Sequence, residues 1–536
     1  MRPLILPLLV GGLALQALGR PAQAYVALMA GQSARPLQGR FNQVPVLHSN
    51  QPEEVLGEGI LVSTLPGWGI AAETNQPLSN ATYTFNGEFG LHVHHKYYPQ
   101  DRSRIHRGGG RRGELTLATI LVNPGSSPVH IRFSKGAVRN SFEAPYLATN
   151  LMGVKPLGPR PWNTGPGDAT AVQMLRGRLD GRLSDEITIP AYGRVVLFQT
   201  QLPAKGIANG LLRGHSDGPF QMAVVAAEDP RSEADLFAVL DRGRLAPGRI
   251  YLQRIGQIQN GTVFSRVAGV ALGDTYTAEL RHDMSQGALH VPLTSTPRHH
   301  FGTGEVQVNG LASRMVDSSL NNVGTYGVRF DVELQLSGAG PHALVLSHPT
   351  PNGRHFTAFR GSIGIETDEG YREVHVGMRS GQSLPLSDLQ LKPGQLNRVR
   401  VSLVYPADAT PGHLLSVVPE QQLAQLKQRQ NQQESALALA SRQPPRQTPP
   451  PLMEPVLVTE PAPDQPSPLP PAAVVSRVAP PLSGPPGWPP ELPSLSPAGT
   501  MPSDTAPSNR MSQTLLDRYQ QAVEAQRQFV KSLMGL

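Results

Sequence analysis

At 536 residues, with 39% hydrophobic residues, 54 glycines and 53 prolines, the chain is too long and too polar for one compact globule. Its formal charge of +7 favours anionic partners. It has no cysteine, which excludes a disulfide framework, thiolate metal sites, a cysteine nucleophile and a lipoprotein anchor.

The first 24 residues carry the pattern of a cleaved export signal. Arg2 is the positive start, residues 4–18 the apolar run, and Ala22-Gln23-Ala24 the small-residue site before Tyr25. The run is too short and too broken by Pro7 and two glycines for a membrane span. From Tyr25 the patterning predicts short strands, among them residues 44–47, 59–63 and 91–95. In the last of these, His92 and His94 share one strand face, so two imidazoles could hold a metal ion if a third ligand joined them. The competing reading is a hydrogen-bonded histidine pair. Next comes a loop with Arg102, Arg104, Arg107, Arg111 and Arg112 around Gly108-Gly109-Gly110. Forked guanidinium groups on such a loop suit phosphate, sulfate or carboxylate on a polymer, against a bland reading of excess solvated charge.

Residues 114–135 organise the first half. Leu115, Leu117, Thr119 and Leu121 alternate, Asn123-Pro124-Gly125 turns, and Val129, Ile131 and Phe133 resume the alternation. This predicts an antiparallel hairpin with one buried face. The same grammar returns at residues 326–348, and each copy is followed by strand, Pro-Gly turn and strand, at 187–203 and 389–406. The expected fold is all-β, with two tandem antiparallel β-sandwich domains at 25–250 and 251–418, the first carrying short helices. One helix is predicted at 169–176, with Asp168 as N-cap and Gly177 as its stop; another is opened by Ser232 with Asp235 as a capping box. Gly214-His215-Ser216-Asp217-Gly218 matches a nucleophile elbow, but strand-like residues follow it, so turn chemistry is the better reading.

Past residue 419 a Gln/Ala-rich stretch to 440 reads as an exposed, fraying helix, and a chain ending near Pro419 is expected to keep its stability. Residues 441–510 hold 22 of the prolines and read as a disordered spacer. Residues 511–536 return to helical periodicity. Leu515, Leu516, Tyr519, Val523, Phe529, Val530 and Leu533 form an apolar stripe that wants a partner groove or a membrane surface.

Residues 36–420 resemble a family of secreted cyanobacterial proteins catalogued as a domain of unknown function. The likeness is carried by VLHSN at 46–50, ILVNPGSSPV at 120–129, GPGDATAVQMLRGR at 165–178, SRVAGVALG at 265–273, GTGEVQV at 302–308, GTYGVRF at 324–330 and VYPADATPG at 404–412. It implies no activity, cofactor or catalytic residue, and it implies a cell-envelope setting. The expectation is an exported, non-catalytic protein of the periplasm, outer envelope or medium. It would bind or scaffold an anionic surface polymer or an envelope partner, without cofactor and without nucleic acid. The alternative is an envelope hydrolase acting on glycan with carboxylates gathered from distant strands.

Overall fold

A computed structural model describes residues 34–100, 113–146, 152–158, 164–261, 264–348, 356–407, 409–426, 428 and 432. The export signal, the arginine loop and the C-terminal helix lie outside the described residues.

The alternating runs form strands Glu114–Val122 and Val129–Asn140, and Leu117, Leu121, Ile131 and Phe133 join one hydrophobic core. The two strands do not pair with each other, which corrects the expected hairpin. Glu114–Val122 lies between Arg194–Pro203 and the second half of the long strand Ile207–Ala227. Val129–Asn140 lies between Glu186–Ile189 and the first half of that same strand. The turn at 123–128 is therefore an arch from one sheet to the facing sheet, and the 190–193 turn is a second arch beside it. The Asn123 N–H donates to the Gly193 carbonyl at 2.9 Å, and the Tyr192 N–H donates to the Gly125 carbonyl at 2.9 Å. The physical reason is twofold. Alternation reports which face is buried and is silent on the neighbour. Proline at the corners (Pro124, Pro128, Pro190) also removes the N–H groups that a hairpin ladder would use.

The second half repeats the device. Arg329–Ser337 pairs with Thr275–Asp283 and Asn397–Val404, whereas the next strand, Gly340–Ser347, pairs with Ser383–Leu391 and His413–Pro419. Residues 338–339 and 392–396 are again paired arches, and Phe330, Val332, Leu334, Leu344 and Leu346 share a second core. Among the described residues the strand pairing is mostly antiparallel, with Pro45–Ser49 and Glu54–Val55 each parallel to Phe85–Tyr97 and Thr275–Asp283 parallel to Arg329–Ser337. Each core also draws strands from both sides of residue 250. Arg40–Phe41 pairs with Tyr276 and Thr277, Gly153–Pro156 with Gly370–Arg379, and Ala268–Leu272 with Pro45–Ser49.

Helix Pro166–Leu175 starts earlier than the sequence suggested, because Pro166 suits the first helical position. Gly165 becomes the N-cap, so Asp168 sits inside the first turn and its side chain caps nothing. Helix Glu233–Asp241 keeps its expected capping box, with the Asp235 carboxylate accepting the Ser232 N–H at 3.0 Å.

The segment after Pro419 corrects another expectation. Residues 420–426 are helical, and Leu423 is buried against Ala343, Val345 and Val418 on the outer face of the second half's smaller sheet. Ending the chain at Pro419 is therefore expected to cost about 1–2 kcal/mol, the value of one covered leucine, read as a lower urea midpoint. A chain ending after residue 432 should recover that stability. Equal midpoints for the two would show that the contact contributes nothing.

Candidate functional site

The strand expected at 91–95 belongs to Phe85–Tyr97, and both His92 and His94 are buried on it. Their rings stack with centroids 6.5 Å apart, but their Nδ1 atoms serve different partners. His92 Nδ1 lies 3.1 Å from His48 Nδ1, and His94 Nδ1 lies 2.9 Å from Asn209 Oδ1. One proton between two imidazoles accounts for the first contact. No group of three His, Cys, Asp or Glu that could hold a metal ion occurs among the described residues. His95, on the other face, donates from Nδ1 to the Pro52 carbonyl at 2.7 Å and meets the Ser49 hydroxyl through Nε2 at 2.8 Å.

These imidazoles begin an aromatic seam that runs from the first core into the second. His92 packs against Tyr326 (6.3 Å between ring centroids), Tyr326 stacks on Tyr405 (6.2 Å), and Tyr405 meets His413 (5.9 Å), which packs against His348 (4.9 Å). Burial lowers His48 and His95 to about 3 and holds His92 and His413 well below the ordinary histidine value. Burial also raises the Tyr405 phenol. His48, His92, His95 and His413 are thus held neutral at pH 7, as their burial requires.

Helix Pro166–Leu175 ties the same two cores with polar contacts. The Asp168 carboxylate accepts the Ser362 hydroxyl at 2.9 Å and His375 Nδ1–H at 3.0 Å. Serine, histidine and aspartate thus meet, but both others bond to the aspartate and not to each other. A nucleophilic triad needs serine on histidine, so this arrangement activates no hydroxyl. Arg176 adds an ion pair to Glu373 at 2.6 Å. A further polar tie lies within the first core and is wholly buried: Arg249 holds Asp317 through two 3.0 Å bonds and also donates to the Leu61 carbonyl.

Ser216 of the elbow-like motif lies within Ile207–Ala227, buried, where its hydroxyl accepts the Gly87 N–H at 3.1 Å. A mid-strand serine cannot be thrust out as an elbow serine is, so the turn reading also gives way, to a strand position. Arg102, Arg104, Arg107, Arg111 and Arg112, and the stripe from Leu515 to Leu533, lie outside the described residues. Sequence reasoning missed Asp168, Arg249 and Asp317 as structural ties. Only the run of Gly and Pro before Asp168 hinted at the first, and nothing local marked the pair.

Facing sheets joined by arches, with strands exchanged between two cores and polar side chains used as ties, define an all-β protein of paired sandwiches. The chain belongs to the family described as protein of unknown function (DUF3370), whose pattern matches residues 32–419. No curated protein matches it. Among solved structures, a tryptophan-to-tyrosine variant of oxalate decarboxylase from Bacillus subtilis aligns over 71% of this chain and 78% of that one. The identity is 8% and the TM-score 0.08, a likeness that carries no argument.

Proposed function

We propose that this is an exported, non-catalytic protein of the cell envelope that binds or scaffolds an acidic surface polymer. The observation that carries the reading is the state of its carboxylates. Hydrolysis of a glycan needs one carboxyl group held protonated, with its pKa raised. Every carboxylate shift resolved among the described residues runs the other way. At Asp180 burial is outweighed by the Arg139 guanidinium. Asp235 and Asp283 are held down by the N–H groups of Arg231 and Ser285, and Asp241 and Glu333 by Arg194 and Arg400. Such groups are ionised partners of guanidinium or N–H groups, suited to a rigid scaffold. The chain's +7 charge supplies the attraction for an acidic polymer.

The full-length protein is expected to be retained on immobilised polygalacturonate at low salt and to elute as salt shortens the Debye length to about 3–5 Å. Arg107→Ala, Arg111→Ala and Arg112→Ala together should weaken retention several-fold. Salt-insensitive retention, or release of reducing sugar from the polymer, would overturn the reading.

A further inference from the structure

The register sets two like charges side by side. Lys135 on Val129–Asn140 lies directly opposite Arg213 on Ile207–Ala227, and directly opposed residues share a sheet face about 5 Å apart. Such a pair destabilises a sheet unless something neutralises it. Arg213 is neutralised, by Asp274 at 2.8 Å and by Glu88 at 3.2 Å. A third cation, Arg329, pairs with Asp331 at 2.7 Å and donates to the Leu175 carbonyl at the end of the helix at 3.1 Å.

The nearby carboxylates are already engaged. Asp274 also accepts from Asn42 at 2.7 Å and from Thr275 at 2.8 Å, and Asp331 accepts the Ser402 hydroxyl at 2.6 Å. The half-buried Lys135 ammonium makes no ion pair and no hydrogen bond among the described residues. Burial, then the charges of Arg213 and Arg329, lowers it below the ordinary lysine range, against the pull of Asp274 and Asp331. Three cations thus stand beside three carboxylates, but the carboxylates are held by the arginines and Lys135 has no direct partner among the described residues.

We propose that Lys135, flanked by Arg213 and Arg329, is the seat for one oxyanion group, a carboxylate or sulfate borne on an acidic sugar polymer. The seat deepens the binding reading above and rests on it for the polymer. A small oxyanion would accept from the ammonium and give it the direct partner that the carboxylates, held by the arginines, do not provide.

The test follows Lys135 itself. With lysines reductively methylated in the full-length protein, the Lys135 methyl signal is titrated by NMR. This is done alone, with galacturonate, with inorganic sulfate, and with polygalacturonate or dextran sulfate. The expected result is a Lys135 transition below that of the other lysines, moving up by about one unit with the preferred anion. Polygalacturonate acting alone would assign a carboxylate, and dextran sulfate alone a sulfate. Lys135→Gln should lose about tenfold in polymer retention while its melting temperature holds or rises, since a repelled cation has gone; Lys135→Arg should retain binding. Undiminished retention by Lys135→Gln, with no movement of the Lys135 signal, would overturn the seat and leave polymer binding to another surface. A signal that moves with a small anion, in a protein neither polymer retains, would keep the seat and overturn the polymer reading. No movement with any anion and no retention would overturn both.

Discussion

Asp317→Ala is expected to lower the stability of the fold by about 3–5 kcal/mol, because it leaves a fully buried guanidinium without its counter-charge. Neither side chain of the Arg249–Asp317 pair is exposed at all. Arg249 would keep the Leu61 carbonyl, and Gln51 would lose the Asp317 oxygen that it reaches at 3.2 Å. The pair joins the 249 loop, the strand Gly59–Ser63 and the chain after Met315, so three segments lose one anchor together. Urea unfolding reads the change as a lower midpoint at unchanged slope. The double variant Arg249→Met with Asp317→Leu should recover most of the loss, since removing both charges leaves no orphan. A single variant within 1 kcal/mol of the parent would show that the pair is solvated in solution.

Acid is expected to destabilise the protein through its buried histidines, at a pH above the range where the lowered carboxylates contribute. His48 and His95 titrate near 3 and His290 near 4, while His92 and His413 lie well below 6.5, all chiefly through burial. Below pH 6.5 the unfolded chain takes up protons that the folded chain refuses. Stability, complete above 6.5, therefore falls as pH drops toward the folded values, by roughly 1.4 kcal/mol per pH unit for each histidine. Five such groups acting together would match the whole stability of an ordinary domain, on the order of 10 kcal/mol, near pH 5. The Nε2 atoms of His48, His290 and His413 face no acceptor among the described residues, so a proton placed there would be an unsatisfied donor as well as a charge. His413→Gln should flatten the slope of stability against pH between 6.5 and 5, whatever it does to stability at pH 7. An unchanged slope would remove His413 from the set. The lowered carboxylates add their loss only below about pH 4.5.

The sequence made the strands and the relation between the two halves legible, because alternation and turn residues are local. It did not reveal the partner of each strand. The runs around Leu117 and Ile131 read as hairpin arms and are arms of an arch, since an inward face is the same in both. The helix near Ala169 was readable, and its start was misplaced by a carboxylate that looked like a cap and serves Ser362 and His375 instead. Those partners lie about 200 residues downstream, beyond any spacing rule. His92 and His94 were picked out as a pair, but their separate partners, His48 and Asn209, depend on register. Lys135 passed unnoticed for the same reason. Its neighbour Arg213 is opposite only once the strands are aligned.

The exchange of strands between the cores also governs the order in which a growing chain can fold. Pro45–Ser49 cannot be flanked on both sides until residues 268–272 exist, and Arg40–Phe41 waits for Tyr276 and Thr277. The first core therefore closes only after residues 268–272 have been made, past residue 250, and the second half takes Arg40–Phe41 and Gly153–Pro156 from chain already made, so N-terminal folding is delayed beyond the midpoint of the pair. More than two hundred residues must stay open together. Calorimetry should accordingly show one heat-absorption peak where two separable modules would give two, and a cut near residue 250 should leave fragments that remain associated or that both fail to fold.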